Sequence, residues 1–468
     1  MTVTARPAPA PSDGGGGARA AIAAVAGAFA ELDGGSDAVA ADPIAWAGYA
    51  EQLSRARARS GEPESVVCGD ARIGGVDAVV IAFDFRFLGG SMGEAGGRLV
   101  ADAFERARRL RRPVVSLVAS GGCRMQEGMR ALVQMQRIAA ACHRARAAGV
   151  AHVSVLRGPA TGGAWASLAA AADVILALPG AIVGFAGHRV RGGADSWTFT
   201  AEGEAAHGQV DQVVAEEDLP ARLALVLALL AGGRDPRPAD VPAALGRADL
   251  AHDGWTAVLR ARAPERPRAP AYLDHYFDAR VALAGDRAGG HDAGMLCGIG
   301  RRHGRAIAYA AQAGTANTPA GFRTAARLLR LADRLALPVL TLVDTPGAAN
   351  DEAAERAGVG PAIADVFAAM AAATVPVTTL VIGEGGSGGA LALASPDGLW
   401  MTPDSYFAVI APEAATAILK RPPEEAPAVA AQQRLRPQEL VELGVARGIA
   451  RPADPAPSPA AGASGRSA

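Results

Sequence analysis

The order of apolar and polar positions repeats along the chain. An almost unbroken apolar run, "VDAVVIAFDF" (Val76–Phe85), leads into "GGRLVADAFERARRLRR" (Gly96–Arg112), whose apolar residues recur every three to four positions. A second strand pattern, "PVVSLVASGG" (Pro113–Gly122), comes next, then a helical stretch, then "AHVSVLRGPATGGAWASLA" (Ala151–Ala169). The same order returns as "GRAIAYAAQ" (Gly304–Gln312), "AGFRTAARLLRLADRLA" (Ala320–Ala336), "LPVLTLVDTPGA" (Leu337–Ala348), "AIADVFAAMAAAT" (Ala362–Thr374) and "VPVTTLVIGEGGSGGALALA" (Val375–Ala394). Continuous apolar runs mark strands buried on both faces, and the three-to-four spacing marks helices packed on them. Their alternation predicts parallel-sheet α/β units, twice over.

The register of the repeat is close. Arg98 answers Arg323 and Pro113 answers Pro338, each 225 positions on, while Gly162 answers Gly388 at 226. The predicted layout is a mostly disordered tail with a short helix over 1–40 and an N-terminal domain over 41–235. A linker over 236–268, a C-terminal domain over 269–452 and a disordered tail over 453–468 complete it. Within the first tail, "ARAAIAAVAGAFA" (Ala18–Ala30) reads as an alanine-rich helix: Asp13 and four glycines precede it, with no basic region abutting.

Composition narrows the classes. At 468 residues, half of them hydrophobic, the chain is too long for one core and too apolar for disorder. A net charge of −1 argues against a general nucleic-acid surface. No run reaches the ~20 apolar residues of a membrane span. Cys68, Cys123, Cys142 and Cys297 lie far apart without CxxC spacing, which suits a reduced cytoplasmic setting and no zinc ribbon. Lys420 is the only lysine, at the end of a predicted helix, so covalent lysine chemistry has one candidate and a helix-terminal cation is the simpler reading.

Candidate chemistry sits in four bare turns at strand ends: Ala119–Gly128, Gly158–Ala166, Asp344–Asp351 and Gly383–Ala392. Ligands of open α/β sheets bind beyond the carboxyl ends of the strands. A glycine pair there admits a ligand to the backbone, and the next helix aims free N–H groups at it. One such donor to an oxyanion is worth roughly 3 kcal/mol of transition-state stabilisation. Gly-Gly-Ala could instead serve close helix–strand packing, but its recurrence at the same place in both halves favours oxyanion binding. None of the turns is a P-loop or a Rossmann fingerprint. His188, His207, His275 and His291 are isolated, and Cys123 has no local histidine to activate it. Paired donors without a side-chain base point to a base supplied by cofactor or substrate.

These residues resemble a known family. "RIGGVDAVVIAFDFRFLGGSMGEAGG", "ASGGCRMQEG", "GPATGGAWASLA" and "ALPGAIVGFAGHRV" are similar to the β subunit of bacterial acetyl-CoA carboxylase carboxyltransferase. "YLDHYFDARVALAGDRAGG", "GFRTAARLLRLADRLALPVLTLVDTPGA", "VIGEGGSGGALALA", "YFAVIAPEAATAIL" and "LRPQELVELGVARGI" are similar to its α subunit. The likeness spans about residues 42–452, in the order β then α.

It implies two tandem crotonase-type (ClpP-like) spiral domains and carboxyl transfer from carboxybiotin to an acyl-CoA, acetyl-CoA giving malonyl-CoA. The implied intermediates are enolates, so two oxyanion holes are needed: Gly163 and Ala164 for the thioester oxygen, Gly389 and Ala390 for the biotin ureido oxygen. Gly162 and Gly388 open those turns, and Gly121, Gly122 and Gly347 line the ends of the cleft. Arg124 and Arg323 are the picks for charge near the CoA phosphates. The family geometry implies a site between the N-half of one protomer and the C-half of another, hence a homodimer or larger ring. Lys420 lacks a Met-Lys-Met setting, so biotin is expected on a separate biotin carboxyl carrier protein charged by a biotin carboxylase. Neither metal, nucleic acid nor membrane is expected.

The chain departs from the family pattern in lacking the zinc ribbon, in a shortened Ala311–Gly321 segment, and in Ala349 and His188 where tyrosine and proline are usual. Two other readings remain: a biotin-independent malonyl-thioester decarboxylase, which the intact "VIGEGGSGGA" disfavours, and a non-catalytic scaffold, which two retained turns disfavour. Whether the malonyl product serves fatty acids or a specialised pathway such as polyketide supply is left open.

Overall fold

The computed structural model describes residues 16–32, 42–187, 197–232, 235 and 237–453. Most of both predicted tails, and His188, lie outside them. The N-terminal half builds one sheet from β1 (Ala28–Glu31), β2 (Val66–Ile73), β3 (Val76–Phe83), β4 (Val114–Ser120), β5 (His152–Thr161), β6 (Val174–Ala177), β7 (Val183–Gly184) and β8 (Gln212–Val213). The C-terminal half builds another from β9 (Ala279–Leu283), β10 (Met295–Arg302), β11 (Arg305–Gln312), β12 (Val339–Thr345), β13 (Val377–Gly386), β14 (Leu399–Met401), β15 (Tyr406–Ala408) and β16 (Gly448–Ile449). The orders are β1-β2-β3-β4-β5-β6-β8 and β9-β10-β11-β12-β13-β14-β16, with β7 and β15 added beside the ends of β5 and β13. In each half an antiparallel entry passes into parallel strands, from β3 and from β11 onward.

The repeat seen in sequence is a repeat in space. Helices Glu94–Leu110 and Pro319–Leu335 match end for end at an offset of 225, as do Gln134–Ala147 and Val359–Ala372, β4 and β12, and β5 and β13. Even local irregularities agree. The ladder shifts register between Val118 and Ser120, and again between Val343 and Thr345. Both long helices stop on a left-handed residue, Arg111 (φ 51°) and Ala336 (φ 56°). Such a residue turns the chain back and satisfies the last carbonyls.

Two regions hold more structure than their composition suggests. The alanine-rich N-terminal segment forms a helix only over Ala18–Val25, and β1 then pairs antiparallel with β2. The proline-rich 236–268 stretch contains helix Gly254–Arg262, opened by the Asp253 carboxylate accepting from Thr256 N–H, with Ala257, Val258 and Ala261 buried.

The halves share a core. Helix Leu219–Leu230 buries Leu223, Val226, Leu227 and Leu230 in a cluster that also holds Val80, Val115, Val281 and Ile299. Each such side chain contributes about 1.5–3 kcal/mol relative to exposure. Ion pairs close the seam. Buried Asp211, at the start of β8, meets Arg287 and Arg327, and Asp173, before β6, meets Arg334. Burial alone would raise the pKa of Asp211, but Arg287 and Arg327 outweigh it and hold the carboxyl below its usual range. Both aspartates sit at the amino ends of their strands, away from the glycine turns.

Candidate active site

At the carboxyl end of β4 the chain turns through Gly121 and Gly122, the latter at φ 106°. The turn is pinned on both sides: Gly121 N–H donates to Gly89 O, Met92 N–H to Gly122 O, and Arg124 N–H to Met92 O. Beside it, β5 passes directly into the short helix Gly162–Ser167, whose first residue takes φ 57°. Gly162 N–H is spent on Phe185 O at 2.9 Å. The Gly163 and Ala164 N–H groups have no hydrogen-bond acceptor among the described residues, and no side chain caps this helix. A Cβ on Gly163 would lie 2.6 Å from Cys123 Sγ and 3.1 Å from Met135 Sδ, so the turn packs against two sulfur side chains.

The C-terminal half repeats this geometry. Gly347, at φ 145°, follows β12, and β13 passes into helix Ser387–Leu391. Thr345 Oγ1 accepts from Gly347 N–H at 3.1 Å, as Ser120 Oγ accepts from Gly122 N–H at 3.2 Å. Gly388 and Gly389 offer N–H groups without an acceptor among the described residues. A Cβ on Gly389 would stand 2.4 Å from Ala348 N and 2.8 Å from Gly347 C, so backbone packs on backbone here.

The residue that answers Gly162 is Ser387, not Gly388. Both open the helix, both are left-handed (57° and 54°), and both lie on the 225 offset of the surrounding strands. The Gly-Gly-Ala letters are one residue out of step with the backbone, which brings Gly163 and Ala164 onto Gly388 and Gly389 and leaves Ala390 one position further into its helix. Sequence reasoning passed over Ser387, although Gly385–Gly389 has Gly-x-Ser-x-Gly spacing. Its side chain is exposed and hydrogen-bonds no histidine or carboxylate among the described residues, so no nucleophile–base pair forms.

The two arginines picked for phosphate are otherwise engaged. Arg124 is 1% exposed, its guanidinium bonded to Glu64, Glu127 (3.0 Å), Ser91 O (2.7 Å) and Tyr49 Oη (3.3 Å). Burial works against its charge, yet Glu64 and its other partners raise its pKa. It is a buried brace for the Gly122 turn, and no face of it is free for a phosphate. Glu127 also accepts from Glu94 N–H at 2.6 Å, fixing the start of helix Glu94–Leu110. Arg323 is partly exposed but pairs with buried Asp286 at 2.7 Å and donates to Ala357 O at 3.1 Å. Cys123 is half-buried, and burial pushes its thiol pKa up, away from a reactive thiolate.

No group of three or more His, Cys, Asp or Glu among the described residues is arranged to hold a metal. No helix among them is long and apolar enough to cross a membrane. What the site offers is two sets of bare N–H donors, one per half, at equivalent strand ends. No hydrogen bond or ion pair among the described residues joins the turns of one half to those of the other.

Known proteins place this arrangement. Residues 39–217 match a family profile described as "Carboxyl transferase domain", and residues 250–457 one described as "Acetyl co-enzyme A carboxylase carboxyltransferase-like". The chain is 42% identical over 451 residues to the acetyl-coenzyme A carboxylase carboxyl transferase subunits beta/alpha of Salinispora arenicola, covering 90% of this chain and 79% of that protein. It is 35% identical to a probable biotin-dependent acyl-coenzyme A carboxylase beta3 subunit of Mycobacterium bovis, covering 85% of this chain and 82% of that one. A transcarboxylase 12S structure with hydrolysed methylmalonyl-coenzyme A bound superposes with a TM-score of 0.78 at 20% identity, covering 94% of this chain and 87% of that one, which establishes the crotonase-like fold. The chain therefore belongs to the carboxyltransferases of biotin-dependent acyl-CoA carboxylases, with the β-like half fused ahead of the α-like half.

Proposed function

We propose that this carboxyltransferase acts on acetyl-CoA to form malonyl-CoA, with biotin carried on a separate protein. The observation that supports the reading is the pair of bare turns at equivalent strand ends, whose free N–H donors are capped by no side chain among the described residues. Carboxybiotin, when bound, supplies the carboxyl group and, once that is released, a ureido nitrogen able to take the thioester's α-proton.

The chain's own share of the work is electrostatic. Gly163 and Ala164 N–H groups donate to the thioester oxygen and gain strength as that oxygen becomes an enolate. Their donors are fixed before reaction by the pinned Gly121–Gly122 turn, so no reorganisation is needed at the moment of charge development. On the other side, Gly389, with Gly388 and Ala390 around it, donates to the ureido oxygen. The cradle fits such a group, since it needs neutral donors and a backbone surface that no Cβ obstructs. Lys420, the only lysine, lies at a left-handed helix end without a biotinylation context, which supports a separate carrier. Two chains are proposed to complete each site, N-half against C-half.

The test is conversion of malonyl-CoA by the purified chain with and without free biocytin. Biocytin-dependent formation of acetyl-CoA is the expected result. Equal release without biocytin would make the protein a decarboxylase, and no turnover would point to a different acyl group or a non-catalytic scaffold.

A further inference from the structure

Two buried carboxylates stand at the strand ends of the C-half turns, and the mechanism above uses neither. Asp344 is the penultimate residue of β12, two before Pro346, and its side chain is 0% exposed. Glu384 lies in β13, three residues before Ser387, and is also buried. Both are answered by arginines from one short segment. Arg266, itself buried, reaches Asp344 at 2.5 Å and donates to Ile382 O at 3.1 Å; Arg268 adds a longer contact to Asp344 at 3.3 Å. Arg262, the last residue of helix Gly254–Arg262, meets Glu384 at 2.8 Å and Glu413 at 2.5 Å. Tyr406 Oη donates to the same Glu384 oxygen at 2.9 Å, and Glu384 N–H donates to Asp344 at 3.1 Å. The network links the ends of β12 and β13 to each other.

Glycines clear its path. A Cβ on Gly383 would lie 2.2 Å from Arg266 Nη2 and 2.3 Å from Asp344 Oδ1, and one on Gly314 2.2 Å from Arg268 Nη1. The N-terminal half does not repeat these two carboxylates, because the residues at the same offset as Asp344 and Glu384 are Ala119 and Pro159. There the brace is Arg124, on the turn itself.

We propose that Arg262, Arg266 and Arg268 form an ionic strap that positions the Gly347 and Gly388–Ala390 turns, so that residues 254–268 act as part of the C-half site. The strap's bonds run to Asp344, Ile382 and Glu384 at the carboxyl ends of β12 and β13, so it would act through the turns, and these are positioning residues. Its kinetic consequence rests on the reading that the C-half turn receives the biotin group.

The test compares Arg262→Gln, whose partly exposed side chain leaves the fold least burdened, with Arg262→Lys and Arg266→Gln. In biocytin-dependent malonyl-CoA turnover, Arg262→Gln should lower kcat about 10-fold and raise the KM for biocytin, because small misplacements of positioned groups cost on this order. The KM for malonyl-CoA should stay within about twofold, since its donors are in the other half. Arg262→Lys, keeping charge at Glu384, should recover part of kcat, and Arg266→Gln should show the same split more strongly. Amide hydrogen exchange gives a readout that needs no turnover: residues 345–350 and 385–391 should exchange faster in each Gln variant, with residues 158–167 unchanged. Wild-type kinetics with wild-type exchange would overturn the strap. So would a parallel loss in both KM values and thermal stability, which is what general destabilisation gives. If the wild-type chain shows no biocytin dependence, the functional reading falls, and the exchange rates alone then decide whether the strap holds the turns.

Discussion

His152 shows how much one residue's role depends on what the fold brings to it. Its ring is 1% exposed, with Nε2 at 2.9 Å from Ser116 Oγ, Phe104 edge-on at 5.2 Å, and Nδ1 without a hydrogen-bond partner among the described residues. Burial pushes its pKa down from 6.5 to about 4; Asp173 opposes this, while Arg146 and Arg334 add to it. The folded state therefore prefers neutral imidazole, and the unfolded chain binds the proton first. The stabilisation is complete above about pH 6.5 and is lost as pH falls toward 4, a change of roughly 3 kcal/mol. Melting temperatures of wild type and His152→Leu between pH 7 and 4.5 check this: the wild-type curve should fall more steeply, and parallel curves would refute it. Nothing in "GVAHVSV" announces a buried histidine. Arg124 and Arg323 were hidden in the same way, since Glu64 lies 60 residues from Arg124 and Asp286 lies 37 from Arg323. Charge is legible in a sequence; a charge's partner is not.

At the scale of elements much more was legible. Strand, helix, strand and turn were readable in order because burial on both faces leaves an apolar run and packing on one face leaves a three-to-four period. The slip at Ser387 was not, since matched Gly-Gly-Ala letters conceal which residue takes the positive φ. The helix Gly254–Arg262 was masked by the prolines around it. The two glycine turns also differ in what surrounds them, which predicts different responses to the same substitution. Gly389→Ala drives a methyl into Ala348 N and Gly347 C, backbone atoms that cannot move without shifting the turn, so turnover should fall by 100-fold or more, on the order of a lost oxyanion donor. Gly163→Ala meets the Cys123 and Met135 sulfur atoms, which can give. Its loss should be smaller, and Gly163→Ala with Cys123→Ala together should recover activity relative to Gly163→Ala alone. Turnover assays of wild type, Gly163→Ala, Cys123→Ala and their double variant settle this, and an additive double variant would place the obstruction elsewhere.

For the whole molecule, the question is whether one chain can complete one site. The seam between halves is closed by helix Leu219–Leu230 and by ion pairs at Asp173 and Asp211, at the amino ends of their strands. The glycine turns lie at the opposite, carboxyl ends of β4, β5, β12 and β13, so the contact that joins the halves is not one that closes a cleft between the turns. Apolar side chains stay exposed near both turns, Met125, Met129 and Leu132 in one half and Leu391, Val409 and Ile418 in the other. A two-fold pair of chains would bury each set against the other and form two sites together. Co-expression of Gly163→Pro and Gly389→Pro chains then has a definite outcome. Each variant alone should be inactive, because proline carries no N–H to donate. In a mixed pair, one site joins both defects and the other joins both intact halves. With random pairing, half of the pairs are mixed, so the mixture should regain about a quarter of wild-type turnover. A site formed within a single chain would regain none, because every chain in the mixture carries one ruined turn.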